Sequence, residues 1–205
     1  MHAQSYRPKK FNIAGLKGIS DKTVEMHLKL YDGYVKNTNL ITEQLAEMMR
    51  QKKAAATNPA YAELKRHLGF EYGGMVLHEY YFGILASDGG TPTDNFKSAV
   101  EESFGSFENW KTDFVGVGNM RGVGWAILYQ DPVTEQLSNH WIELHQQGVP
   151  SGFKPIVVMD VWEHAFLLDY KPAERDKYID AFFANVDWHR IDDNLTSAAA
   201  TRPVG

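Results

Sequence analysis

Residues 155–165 read PIVVMDVWEHA, an apolar run that leads into a carboxylate and an imidazole four residues apart. The first five residues are typical of a short buried strand, and helical spacing returns from Ala165 onward. Asp160 and His164 therefore lie at a predicted junction between a strand and a helix, where a rigid scaffold presents ligands. A carboxylate with nearby imidazoles suits a transition metal of intermediate hardness, including iron and manganese.

The composition limits what the rest of the chain can be. Its 205 residues are 43% hydrophobic and 13% aromatic, enough for a sizeable core in one domain or two small ones. The net charge of −5 and the short apolar runs predict no nucleic-acid partner and no membrane span. Residues 1–10 lack the apolar segment of a signal peptide, which predicts a cytoplasmic protein. Because the chain has no cysteine, metal binding must rest on histidine and carboxylate.

Capping residues mark four helices in the first part of the chain. Asp21 is the predicted cap of a long amphipathic helix that reaches about residue 52, and Pro59 suits the first position of a second helix. These two helices are predicted to form an antiparallel hairpin. Thr93 and Ser106 are the predicted caps of two further helices.

The sequence pattern then changes to one that is typical of strands. Residues 124–129, residues 139–144 and the strand ending at Asp160 predict a three-stranded antiparallel sheet. Helices are predicted again over 164–170 and 174–187.

The predicted fold class is α+β. An N-terminal antiparallel helical hairpin domain over 1–90 is followed by an α/β domain over 91–205, whose three-stranded antiparallel sheet is flanked by helices. A flexible tail is predicted from about residue 195, where the apolar content falls.

Two further histidines lie on the predicted hairpin. His27 is on the first helix and His78 on the second, each in a largely apolar stretch, and antiparallel packing can bring them together. Each one alone fits a buried histidine with one hydrogen bond better than it fits a ligand. The pair Gly73-Gly74 interrupts the second helix, and close packing against the first helix is the predicted reason.

Several segments, taken together, resemble one known family. The C-terminal ones are DVWEHAF at 160–166, DYK at 169–171, YIDAFF at 178–183 and NVDW at 185–188. The N-terminal ones are Glu25-Met26-His27, Tyr34-Val35-Lys36-Asn37, Gly73-Gly74 with His78, and Gly122-Val123-Gly124-Trp125. Their order and spacing over roughly residues 11 to 190 resemble the iron/manganese superoxide dismutases.

The resemblance implies one iron or manganese ion, held between the two domains by His27, His78, Asp160 and His164. Such an ion cycles between +3 and +2, and the family converts superoxide to dioxygen and hydrogen peroxide. The resemblance also implies a homodimer or a higher homo-oligomer, in which Glu163 reaches across the interface toward His164 of the partner subunit.

Two catalytic residues are implied in the same way. Tyr34 resembles the gateway tyrosine beside the substrate channel, which takes part in proton transfer. Gln146 is the predicted hydrogen-bond partner of the solvent at the metal, because manganese-type members carry a glutamine in the loop after the second strand. Iron-type members supply it from the second helix, where this chain has Gly74. Gln147 or His145 takes the position if the loop is offset by one residue.

The first helix departs from the family pattern. His27 and Tyr34 are seven residues apart, one fewer than is usual, and counting back from Tyr34 would place Met26 at the ligand position. A bulge in other members, absent here, would reconcile the two alignments, so His27 is the predicted ligand.

Other departures run toward apolar side chains. Leu30 and Leu167 replace a histidine and a tyrosine that hydrogen-bond across the family's dimer, while Leu77 and Phe82 replace an asparagine and a tryptophan. These changes predict altered proton delivery. Two alternatives therefore stay open: a catalytically impaired metal-binding relative with the same fold, and another non-haem iron enzyme.

Overall fold

A computed structural model describes residues 5–197, and its first part is the predicted helical hairpin. Helix α1 spans Asp21–Arg50 and helix α2 spans Pro59–Gly83. The contacts of His27 with His78 and of Asn37 with Glu71 show that the two helices run antiparallel. Within residues 5–197, no helix has the length and apolar character that crossing a membrane requires.

The helix starts follow the capping residues, with one correction. Thr93 and Ser106 cap α3 (Asp94–Phe104) and α4 (Phe107–Gly118) as predicted. The cap of α1 is Ser20, whose hydroxyl accepts a hydrogen bond from the Thr23 amide, so the prediction of Asp21 was wrong by one residue. Asp21 instead lies in the first turn, where a negative charge is favourable.

The predicted three-stranded antiparallel sheet is confirmed. Its strands are β1 (Gly124–Gln130), β2 (Leu137–Glu143) and β3 (Lys154–Asp160), in the order β2-β1-β3. Trp125 of the central strand lies opposite Asp160 of β3, so the sheet presents both side chains at the same end.

The chain after β3 differs from the prediction. Residues 164–170 are not an α-helix: a 3₁₀ turn spans Glu163–Ala165, and Phe166 leaves helical geometry with φ −142°. Asp160 contributes to this, because its Oδ1 accepts a hydrogen bond from the Trp162 amide and thereby shapes the turn before His164.

The C-terminal helices also differ. A second 3₁₀ turn (Pro172–Glu174) leads into α5 (Arg175–Ala184), which is shorter than predicted, and α6 (Trp188–Thr196) was missed. The carboxylate of Asp187 caps α6 by accepting from the amides of His189 and Arg190. Helix therefore continues past the predicted start of the tail, and residues 198–205 lie outside the described residues.

Three side chains from the C-terminal part hold the chain just before α1. Asn185 bonds both the amide and the carbonyl of Lys17, at 2.8 and 2.7 Å. The Tyr170 hydroxyl donates to the Gly18 carbonyl, and Asp169 accepts from the Ser20 amide at 2.9 Å. These contacts fix the start of α1 relative to the segment that follows β3.

The glycine pair in α2 allows two different close approaches. A Cβ on Gly74 would lie 2.6 Å from the Tyr34 ring, so packing against α1 is confirmed for this residue. A Cβ on Gly73 would instead collide with the backbone of His145, 3.1 Å from its carbonyl carbon, in the loop after β2. Gly73 therefore lets that loop approach α2.

We expect Gly74→Ala to lower the free energy of unfolding by about 1–3 kcal/mol, the usual range for an overpacked core. The physical reason is the overlap of the new methyl group with the Tyr34 ring. Gly33→Ala in α1 is the matched control, because nothing lies within 4 Å of its Cβ position; it should gain up to ~1 kcal/mol from helix propensity. Urea unfolding of the metal-free proteins measures both, and equal stability of the two variants would contradict the packing argument.

Candidate metal centre

Four side chains from distant parts of the sequence converge at the junction of the hairpin and the sheet. His27 comes from α1, His78 from α2, Asp160 from the end of β3 and His164 from the 3₁₀ turn, and their ligand atoms all lie within 4.8 Å of one another. The Nε2 atoms of His27 and His164 are each 3.1 Å from Asp160 Oδ2, and that of His78 is 3.6 Å away. The structure thus brings together the four residues predicted as metal ligands.

His78 shows most directly that this cluster suits a metal. Its Nδ1–H donates to the Gly74 carbonyl at 2.6 Å, which leaves Nε2 of the neutral ring without a proton. That Nε2 is buried and has no hydrogen-bond partner among the described residues. A bare nitrogen, oriented through a hydrogen bond on the opposite ring nitrogen, is the usual arrangement of a metal-binding histidine.

The charges of the cluster fit an iron or manganese ion. Burial lowers the pKa of His27, and burial together with His27 lowers the pKa of His78 well below its usual value, so both rings are neutral near pH 7. Burial alone would raise the pKa of Asp160, but His164 and His27 hold it below the usual range. The site therefore offers imidazole nitrogens and one ionised carboxylate, a donor set suited to these metals.

The arrangement of side chains around α1 favours His27 over Met26 as the candidate metal ligand. The helix is regular from Asp21 to Arg50, so the seven residue steps from His27 to Tyr34 make about two turns and keep both side chains on one face. His27 is buried in the cluster, while Met26 is only half-buried.

A hydrogen-bonded chain lies beside the four candidate ligands. The Trp125 indole N–H donates to Nδ1 of His145 at 3.0 Å, and Nε2 of His145 is 2.8 Å from the hydroxyl of Tyr34. Burial lowers the pKa of His145 to about 4, so its ring is neutral near pH 7. Because Nδ1 accepts, the ring proton lies on Nε2 and is donated to the Tyr34 oxygen.

The structure places His145, not Gln146, next to Tyr34. The Gln146 Oε1 accepts from the His145 amide at 3.2 Å, and its Cβ and Cγ lie near Gly69 of α2. Leu144 explains this register, because it adopts the left-handed region with φ +54° and turns the following residue inward. Leucine is not typical of the left-handed region, so this turn could not be predicted from the residue type. Of the alternatives that the sequence left open, His145 is therefore the residue that is hydrogen-bonded to Tyr34.

Aromatic rings surround the four candidate ligands. Trp125 lies edge-on to His78 with ring centroids 5.0 Å apart. Trp162 stacks between His145 and His164, at 4.8 and 5.6 Å. Both tryptophans thus wall the cluster. Phe82 also contacts the rings of His27 and His78.

The fold and the site define a mononuclear metalloprotein with a helical hairpin and an α/β part. Residues 92–194 match the family described as iron/manganese superoxide dismutases, C-terminal domain. "Superoxide dismutase [Fe]" of Aquifex aeolicus (strain VF5) is 37% identical over 187 residues, covering 89% of this chain and 87% of the relative. "Superoxide dismutase [Mn]" of Haloarcula marismortui is 36% identical over 174 residues, covering 84% and 83%. "Superoxide dismutase [Mn/Fe]" of Propionibacterium freudenreichii subsp. shermanii is 33% identical over 178 residues, covering 84% and 86%.

The chain belongs to the iron/manganese superoxide dismutase family. The resemblance read from its motifs is thereby confirmed over most of its length.

Proposed function

We propose that the protein is a superoxide dismutase, which converts superoxide to dioxygen and hydrogen peroxide at one iron or manganese ion. The convergence of His27, His78, Asp160 and His164, with a bare nitrogen on His78, carries this proposal. The relatives support it, since those described above are named as iron, manganese and manganese/iron enzymes. A bound ion would supply one-electron chemistry by alternating between +3 and +2.

The residues of the chain itself would exclude water and handle protons. Three of the four proposed ligands are buried, and the His164 side chain is 18% exposed, so bulk solvent has little access to the site. Because His145 donates to the Tyr34 oxygen, the Tyr34 O–H remains available to donate to a small oxygen species beside the site. Tyr34 is thus the proposed catalytic proton donor.

His145 is the proposed replacement for the glutamine expected at position 146. Its two ring nitrogens are used by Trp125 and Tyr34, so it acts through Tyr34 and positions that hydroxyl. Beside Tyr34, the loop after β2 supplies His145 and helix α2 supplies Gly74, so neither element supplies a glutamine at that place. Both metals therefore have to be tested.

Metal loading tests the function. Protein stripped by a chelator and reloaded separately with iron and manganese should bind about one ion per chain, and only loaded samples should consume superoxide. Loading should also raise the free energy of unfolding, by about 2.7 kcal/mol at a free metal concentration 100 times the dissociation constant. Elemental analysis, a superoxide-consumption assay and thermal unfolding measure the three quantities. Stoichiometric loading without superoxide consumption would indicate the catalytically impaired relative.

The proposed assembly is a homodimer or a higher homo-oligomer, and the proposed compartment is the cytoplasm. Glu163 is exposed and precedes His164 in the chain, as the proposed contact with His164 of the partner subunit requires. Leu167 and Leu168 are 39% and 49% exposed in the turn that follows, which provides apolar surface for such a contact. The proposed domain division stays at residues 1–90 and 91–205.

A further inference from the structure

A second buried carboxylate lies between α1 and α2, outside the metal cluster. Glu71 is only 5% exposed. Its Oε1 accepts from Nε2–H of His67 at 2.9 Å and from the Asn37 side-chain amide at 3.3 Å. Its Oε2 is buried and has no hydrogen-bond partner among residues 5–197. Carboxylates are almost never buried in this way without a specific reason.

The pair His67–Glu71 links solvent to the neighbourhood of Tyr34. The His67 side chain is 46% exposed, so the pair begins at the surface. Glu71 lies one helical turn before Gly74, on which the Tyr34 ring packs. Phe70 lies alongside, with its ring stacked on His67 at 5.4 Å and 4.6 Å from the ring of His145.

Bridging the two helices does not by itself require a charge. A glutamine at position 71 would have the same length, would bond Asn37 and His67, and would avoid the desolvation of a carboxylate. What a carboxylate adds is the capacity to take up and release a proton. His67 shares that capacity, since imidazole is the side chain that most readily exchanges protons near neutral pH.

The proposed reaction needs a supply of protons near Tyr34. Each hydrogen peroxide formed consumes two protons, which must come from solvent. Leu30 and Leu167 stand where the family resemblance implies a histidine and a tyrosine, and neither leucine can carry a proton. The buried hydroxyl of Tyr34 therefore has to be resupplied by another route.

We propose that His67 and Glu71 form the port through which solvent protons enter the polar network around Tyr34; this inference rests on the proposed function. Solvent protonates the exposed imidazole of His67, whose Nε2–H then passes its proton to Oε1 of Glu71. Rotation of the resulting carboxylic acid exchanges its two oxygens. The acid then gives its proton to the Tyr34 oxygen, which has already passed its own proton to the reduced oxygen species, and the carboxylate is restored. Two such passages supply one peroxide, and no electron moves along the port.

Glutamine variants separate proton transfer from helix bridging. His67→Gln and Glu71→Gln keep hydrogen-bonding groups at the same places but carry no proton. We expect metal content and unfolding temperature to stay near those of the wild type, and turnover at high superoxide to fall by roughly tenfold or more, because a positioned proton-transfer group contributes at least that much. Added imidazole, a small proton donor, should restore turnover in both variants. His189→Gln, an exposed histidine on α6, is the matched control and should behave as wild type.

A second readout does not depend on activity. In the metal-free protein, infrared difference spectra during acid titration should contain a carbonyl band that is missing in Glu71→Gln, whereas any band of the buried Asp160 should be present in both proteins. Wild-type turnover in both variants, or a loss that imidazole leaves unrestored while the unfolding temperature falls, would reduce Glu71 to a structural bridge. If the metal-loaded wild-type protein does not consume superoxide, the proposed function is wrong, and so is the proton port that rests on it.

Discussion

Replacing His27 with alanine should leave the protein without bound metal and without superoxide consumption. The variant removes one of two imidazole nitrogens that lie 3.1 Å from Asp160 Oδ2, in a site where every donor is supplied by a different element. The loss of metal affinity should exceed the roughly 10–100-fold that follows loss of an outer hydrogen bond to a ligand. Elemental analysis after dialysis and the superoxide assay measure the two losses.

Met26→Ala is the control for the register of α1. Met26 precedes His27 directly and lies about 100° around the helix from it, so the variant perturbs the same turn while leaving all four donors in place. It should bind metal and consume superoxide at close to the wild-type rate. Metal loss in Met26→Ala with retention in His27→Ala would show that the helix register is offset by one residue.

Replacing His145 with alanine should leave metal bound but lower turnover by about 10–100-fold, the usual range for a partner that orients an active-site group. The variant removes the N–H that donates to the Tyr34 oxygen and leaves the Trp125 indole N–H without its acceptor. None of the four proposed metal ligands is touched. Elemental analysis and the superoxide assay on the same preparation separate the two effects.

Two variants sharpen this test. His145→Gln should recover much of the activity, because the amide can donate to Tyr34 and accept from Trp125. Gln146→Ala should be close to wild type, since the Gln146 side chain contacts its own loop and α2 rather than Tyr34. Full activity in His145→Ala combined with loss in Gln146→Ala would restore the assignment made from the sequence alone.

Local signals predicted the scaffold correctly. Thr93 and Ser106 act as caps because the hydroxyl that satisfies the first amides of a helix is encoded a few residues from those amides. The sheet followed from short apolar runs separated by turns. The segment after β3 was predicted wrongly, since the bond of Asp160 to the Trp162 amide and the contact of Tyr170 with Gly18 override its helical pattern.

By itself, the sequence determined the fold class, because caps and periodicity are properties of neighbouring residues, and the resemblance of its motifs to the family implied the four proposed ligands. Only the tertiary structure decided which residue faces Tyr34. That choice depends on the left-handed turn at Leu144, whose carbonyl accepts the Trp162 indole N–H, and on Gly73, which leaves room for the His145 backbone. These contacts join residues far apart in the chain, so no local pattern encodes them. The burial of the Glu71 carboxylate could not be predicted for the same reason, because it depends on the packing of α1 against α2.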